Sequence, residues 1–302
     1  TFTYNGSAQT PAIVVKSGST VLTKETHYTV TYSNNINAGT ATITVQGTGN
    51  YRGTKTLNFT INPKTLAPEM VVLSDIPTTY NQQLQKPTVT ISDGTTLTPN
   101  DYTLTNDGGT NQGTYEVRVD GKVNYTGTVT KTFTIAPLSL SSAVVTLSQT
   151  EYVYSGSANT PSVTSVMVGS LTVPTTGYGV TYSSNINQGT SATVTVTGTG
   201  NYKDSKSVNF TITRKSVNDT MIKFASDQEN YVYNGSNQKP TVTVMDGETE
   251  LVLNTDYTIT NDGGTEVGTY NVDIEGKGNY QGTARRQFSI VAKDANTKFT
   301  VE

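Results

Sequence analysis

The chain has 302 residues, 33% of them hydrophobic, a formal net charge of −3, and neither cysteine nor tryptophan. These values exclude disulfides and thiolate metal sites, and the 20 Lys and Arg form no cluster of the kind that binds nucleic acid. No apolar run reaches the ~18–20 residues that span a bilayer as a helix, so no membrane insertion is expected.

The first residues, TFTYNGSAQT, carry neither a basic nor an apolar leader segment, so any secretion signal is expected outside this sequence. Phe2-Thr3-Tyr4 leads to a loop closed by Pro11. Tyr28, Val30 and Tyr32 then share one face of a strand. After Gly39, Ala41, Ile43 and Val45 alternate with Thr42, Thr44 and Gln46 up to Gly47. Period-two alternation means one inward and one wet face. The stretch GTGNYRGT (47–54) follows, and then Leu57, Phe59 and Ile61 alternate again. Thr, Val and Tyr suit pleated, half-buried surfaces, while Asn and Gly suit turns. No segment has helical periodicity, and the chain reads as all-β.

The same landmarks return three more times. Asn50-Tyr51 recurs as Asn124-Tyr125, Asn201-Tyr202 and Asn279-Tyr280. Tyr28 recurs as Tyr102, Tyr178 and Tyr257, and Phe59/Ile61 as Phe133/Ile135, Phe210/Ile212 and Phe288/Ile290. The period of 74–79 residues is that of a small domain. The expected domains are 1–62, 63–136, 137–213 and 214–291, joined by short linkers. Repeats 1 and 3 share VTYS(N/S)NIN(A/Q)GT (type A), and repeats 2 and 4 share TNDGGT(N/E)(Q/V)GTY (type B). Repeats 2 to 4 open with an apolar strand near Met70, Ala143 and Met221. Repeat 1 lacks it, and residues 292–302 read as the first strand of a further repeat or a tail.

Repeat 3 has one extra residue between Gly189 and Gly198, which predicts a β-bulge near Ser191–Thr193. Type A repeats carry Tyr32 or Tyr182 where type B repeats carry Asn106 or Asn261. Type B repeats instead carry Tyr115 or Tyr270 on the facing strand. Neighbouring strands that fill one space with either ring would give this exchange.

GTGNYRGT invites reading as a phosphate loop. Such loops work through a following helix N-terminus, yet here an alternating strand follows. Gly49 becomes Val123 in repeat 2, and Gly53 becomes Asp204 in repeat 3. The motif therefore reads as a strand-to-strand corner plugged by its tyrosine.

Alternating strands, frequent turn signals and the absence of helix predict small β-sandwiches. Compact mixed sheets, β-grasp-like without a helix, are the alternative. The stretches YNGSAQTP, HYTVTYSNNINAGTATITVQGTGNYRGT and LNFTI resemble the tandem Ig-like repeats of bacterial surface proteins, including the MBG and YDG kinds. The resemblance covers nearly the whole chain. It implies a secreted or wall-attached bacterial protein whose repeats extend or display other domains.

Candidate chemistry is sparse. His27, the only histidine, stands where other repeats carry Asp101, Gly177 and Asp256, and it reads as a turn residue. Asp120, Asp273 and Glu275 read as solvated carboxylates. NDGGT, at 106–110 and 261–265, makes Asp107 and Asp262 weak calcium candidates, but it lacks the ligand order of a calcium loop. Asn58 and Asn209 raise an isopeptide bond to lysine, although alternation points them outward. The 18 tyrosines suggest a sugar platform, but each one matches a tyrosine of another repeat. No catalytic residue and no cofactor is assigned. The expectation is a non-enzymatic stalk, four units in an elongated rod. The rivals are an adhesin that binds a glycan or a host-surface protein, and a fibre self-associating head to tail by strand complementation.

Overall fold

The computed structural model describes residues 1–105 and 108–294. It divides into two compact units, Thr1–Leu138 and Ser139–Glu302, each holding one type A and one type B repeat. Regular helix among the described residues is limited to three single 3-10 turns, Pro68–Met70, Thr175–Gly177 and Asp219–Met221.

Each repeat is built on an antiparallel sheet whose central strand is bounded by two glycines. These strands are Gly39–Gly47, Gly113–Gly121, Gly189–Gly198 and Gly268–Gly276. In repeat 4, Gly268–Gly276 pairs with Tyr257–Thr260 on one side and Thr283–Val291 on the other. A short strand, Asn230–Val232, adds in parallel to the last of these. A second sheet, order Ile222–Phe224, Val242–Asp246, Thr249–Glu250, faces the first. Repeats 2 and 3 carry the equivalent second sheets, built on Val71–Ser74 and Val144–Leu147. Two facing sheets across one core make a sandwich, not a single mixed sheet.

The alternation in the sequence is the inside–outside pattern of the structure. Ala41, Ile43 and Val45 are 0–8% exposed, and Val117, Val119, Val272 and Ile274 are 0–1% exposed. Val71 and Ile91 of the second sheet pack with Val119 and Val129 of the first. Ile222 and Val244 pack with Val272, Phe288 and Ile290.

The ladder of repeat 3 shifts register between Gly189 and Ala192, so two residues oppose one across the sheet. The bulge thus begins just upstream of the predicted Ser191–Thr193 and restores Ala192, Val194 and Val196 to the core. Asn58 and Asn209 lie on the outward face, where each Oδ1 accepts a threonine hydroxyl at 3.1 Å, from Thr42 and Thr193 respectively.

Candidate functional site: the corners and joints

The first glycine of each GTGNYRGT-type corner is required by space. A Cβ on Gly47, Gly121, Gly198 or Gly276 would stand 2.5–2.9 Å from the backbone nitrogen five residues on. Each of these glycines also donates its N–H across the corner, Gly47 to Gly53 O at 2.9 Å and Gly276 to Gly282 O at 2.8 Å. The variable positions keep their conformation whatever the residue. Val123 has φ 58°, against 62°, 61° and 58° at Gly49, Gly200 and Gly278.

The Asn-Tyr pair does something its sequence did not disclose: it joins repeats. In the first unit, Ala38 N–H donates to Asn124 Oδ1 at 2.9 Å, and Asn124 Nδ2 donates to Asn37 Oδ1 at 3.1 Å. In the second unit, Gln188 N–H donates to Asn279 Oδ1 at 2.9 Å, and Asn279 Nδ2 donates to Asn187 Oδ1 at 3.1 Å. The tyrosines repeat the arrangement. Tyr4 meets Tyr125 edge to face with centroids 5.5 Å apart, and Tyr154 meets Tyr280 in the same way at 5.5 Å. The linker is stitched to the corner as well, since Lys64 pairs with Tyr125 and Lys215 with Tyr280 in short parallel ladders.

Beneath each joint lies a Lys-Asp-Tyr group. Lys64 Nζ contacts both Asp93 carboxylate oxygens at 2.6 and 2.7 Å, and Tyr125 Oη donates to Asp93 Oδ2 at 3.2 Å. Lys215, Asp246 and Tyr280 repeat this at 2.6, 2.8 and 3.0 Å. Burial, followed by the charge of Asp93, pushes the Tyr125 phenol up to about 12. Burial and the Asp246 hydrogen bond push Tyr280 up too. A buried phenol beside a carboxylate holds its proton and serves as a donor.

The sequence-predicted candidates resolve into structural roles. His27 Nδ1 accepts Thr23 N–H at 2.9 Å, and the Asp256 carboxylate accepts Val252 N–H at 2.9 Å in the matching turn. Asp101 accepts Thr98 N–H at 3.2 Å. The imidazole therefore takes the place of a carboxylate that closes this turn. Asp120 and Asp273 pair with Arg118 and Arg285 on the outward face. Asp107 lies outside the described residues. The Asp262 side chain is exposed, and among the described residues no three His, Asp or Glu side chains gather to hold a metal ion.

The NDGGT glycines have a different purpose. Gly264 N–H donates to Gln238 O at 2.9 Å and Gln238 N–H donates back to Gly264 O at 2.7 Å. The Tyr270 ring lies directly on Gly264, as Tyr115 lies on Gly109. Both rings stack on the phenylalanine of the last strand, Phe288 and Phe133, with interplanar angles of 25°. In type A repeats, Tyr32 and Tyr182 instead donate to the carbonyls of Pro11 and Pro161. Asn261, at the same position in repeat 4, donates its Nδ2 to Pro240 O at 3.0 Å, while its Oδ1 has no protein partner.

Each of the 18 tyrosines is buried or half-buried. The clefts of about 500 and 620 Å³ in repeat 4 open to solvent and are lined by residues of that repeat, Arg285 among them.

No family model matches the chain, and no curated protein matches it. Among solved structures, it is similar to the protocadherin γB4 extracellular domain at 10% identity and a TM-score of 0.24, covering 98% of this chain and 66% of that one. It is also similar to protocadherin γB2 extracellular cadherin domains 3–6 at 10% identity and a TM-score of 0.21, covering 97% and 98%.

Proposed function

We propose that the chain is a non-enzymatic spacer of a bacterial cell-surface or secreted protein, holding other domains away from their anchor. The observation that carries this reading is the joint, built twice from the same residues with matching distances. A flexible tether needs no such contacts. A spacer that must keep its reach does, because side-chain hydrogen bonds and a stitched linker remove freedom at the hinge. The tyrosines support the same reading: each is buried or half-buried, and Tyr4 with Tyr125 and Tyr154 with Tyr280 meet at the joints.

Hydrogen exchange on the purified chain tests this. Slow exchange is expected at the Ala38 and Gln188 N–H groups, which the joints hold on Asn124 and Asn279, and exchange at the rate of a free loop would refute a spacer stiffened at its joints.

A further inference from the structure

Asn-Gly occurs twice in the chain, at Asn5-Gly6 and Asn234-Gly235, in the same loop of repeats 1 and 4. Repeat 2 has Asn81-Gln82 there, and repeat 3 has Ser155-Gly156. The same turn recurs in all four. The side-chain oxygen of its first residue accepts the N–H two residues on: Ser7 to Asn5 Oδ1 at 3.0 Å, Gln83 to Asn81 Oδ1 at 2.9 Å, Ser157 to Ser155 Oγ at 3.4 Å and Ser236 to Asn234 Oδ1 at 2.9 Å. Its second residue is left-handed, with φ of 78°, 67°, 77° and 76° at Gly6, Gln82, Gly156 and Gly235, a conformation glycine adopts freely. Asn5 and Asn234 are both exposed.

One difference separates the two Asn-Gly pairs. Asn5 Oδ1 accepts a second donor, Gln9 Nε2 at 2.6 Å. Gln9 is held in place for this: its N–H donates to Asn35 O at 2.7 Å, and Asn35 Nδ2 donates to Gln9 O at 2.9 Å. The matching Gln238 aims its amide elsewhere, with Nε2 donating to Val232 O at 3.0 Å. The Asn5 side-chain carbonyl therefore has two N–H donors where that of Asn234 has the turn donor. Two donors converging on one carbonyl oxygen stabilise an oxyanion that forms there.

We propose that Asn5 is a self-modifying site, at which the Gly6 nitrogen attacks Asn5 Cγ and the side-chain amide is lost. The Gly6 nitrogen gives its proton to base and bonds to Cγ. The oxyanion gathers on Oδ1, between Ser7 N–H and Gln9 Nε2, and the Cγ–Nδ2 bond then breaks to release ammonia. Water opens the resulting succinimide at either carbonyl, leaving aspartate or isoaspartate. No oxidant or reductant takes part. Glycine suits the attack because no Cβ crowds its nitrogen, and nothing lies within 4 Å of where a Gly6 Cβ would stand. The product places a negative charge beside Tyr4, and its isoaspartyl form lengthens the main chain there by a carbon. Tyr4 packs on Tyr125 in the joint of the first unit. The joint of the second unit has Tyr154-Ser155-Gly156 in that place, with no amide to lose.

Peptide mass spectrometry on the full chain, incubated at mildly alkaline pH, reads both sites in one sample as the mass gained when the amide NH2 is replaced by OH. Asn234 is the internal reference. In the folded chain Asn5 is expected to convert about tenfold faster than Asn234, the factor that ~1.4 kcal/mol of added transition-state stabilisation gives. In urea, which disperses the donors, the two rates are expected to converge. Gln9→Ala separates the proposal from a purely structural role of this side chain. Loss of a donor slows Asn5 toward the Asn234 rate, whereas loss of a restraint frees the turn and quickens it. A Gln9→Ala chain that converts Asn5 as fast as the parent, or faster, overturns the proposal. So does a folded chain in which Asn5 converts no faster than Asn234, and so does an excess at Asn5 that persists undiminished in urea, which would assign it to the neighbouring sequence.

Discussion

Gly264→Ala tests the claim that NDGGT exists to seat a tyrosine ring. A Cβ at Gly264 would lie 2.3 Å from Cε2 and Cζ of Tyr270. Carbon atoms rest at about 3.5–4.0 Å, so the ring would have to retreat by more than ~1 Å. It has little freedom to do so. It stacks on Phe288 at 5.5 Å, and Phe288 is 1% exposed. Its hydroxyl accepts Glu266 N–H at 3.2 Å and donates to Glu266 O at 2.9 Å. Overpacking of this kind costs ~1–3 kcal/mol, and disturbing the hydroxyl bonds adds about 1 kcal/mol. The expected destabilisation of repeat 4 is therefore about 2–4 kcal/mol. Hydrogen exchange on peptides from Gly268–Gly276 and Thr283–Val291 reads the opening free energy of this repeat within the intact chain. Gly179→Ala is the control, because nothing lies within 4 Å of its added Cβ, and it should be neutral or gain up to about 1 kcal/mol. The reasoning fails if G264A lies within ~0.5 kcal/mol of the parent, or if its penalty is unchanged in a Y270A background, where the two effects should couple.

Four further outcomes are expected. N124A and N279A each remove a joint acceptor and donor, and should raise exchange at Ala38 or Gln188 and broaden the scattering profile while each repeat stays folded. Val123→Gly should stabilise repeat 2 by about 0.5–1 kcal/mol in urea unfolding, since a left-handed residue costs ~1–2 kcal/mol and glycine gives back part of this as chain entropy. His27→Asp should leave repeat 1 within ~0.5 kcal/mol of the parent, because Asp256 closes the same turn, whereas His27→Ala should cost about 1 kcal/mol by the same measurement. The raised Tyr125 phenol sets the sign of an alkaline effect. The unfolded chain loses this proton near its ordinary value of 10 and the folded chain near 12, so stability falls as pH rises between them. Y125F should remove on the order of 2 kcal/mol of that fall, read by urea unfolding along a pH series.

The sequence by itself determined the strands and their faces. Alternation between bounding glycines placed Val117, Val119, Val272 and Ile274 in the core, and the single extra residue of repeat 3 announced a bulge, because both are consequences of a two-residue period within one strand. The corner glycines were also legible as corners, since their neighbours formed strands. Other assignments needed the tertiary structure. Asn124 and Asn279 bond to residues 86 to 92 positions away, and no local period encodes a contact between domains. Lys64 meets Asp93 across 29 positions, and the partner that forbids a side chain at Gly264 sits on the next strand. Periodicity decides which way a side chain faces; only the packed chain decides what it meets there.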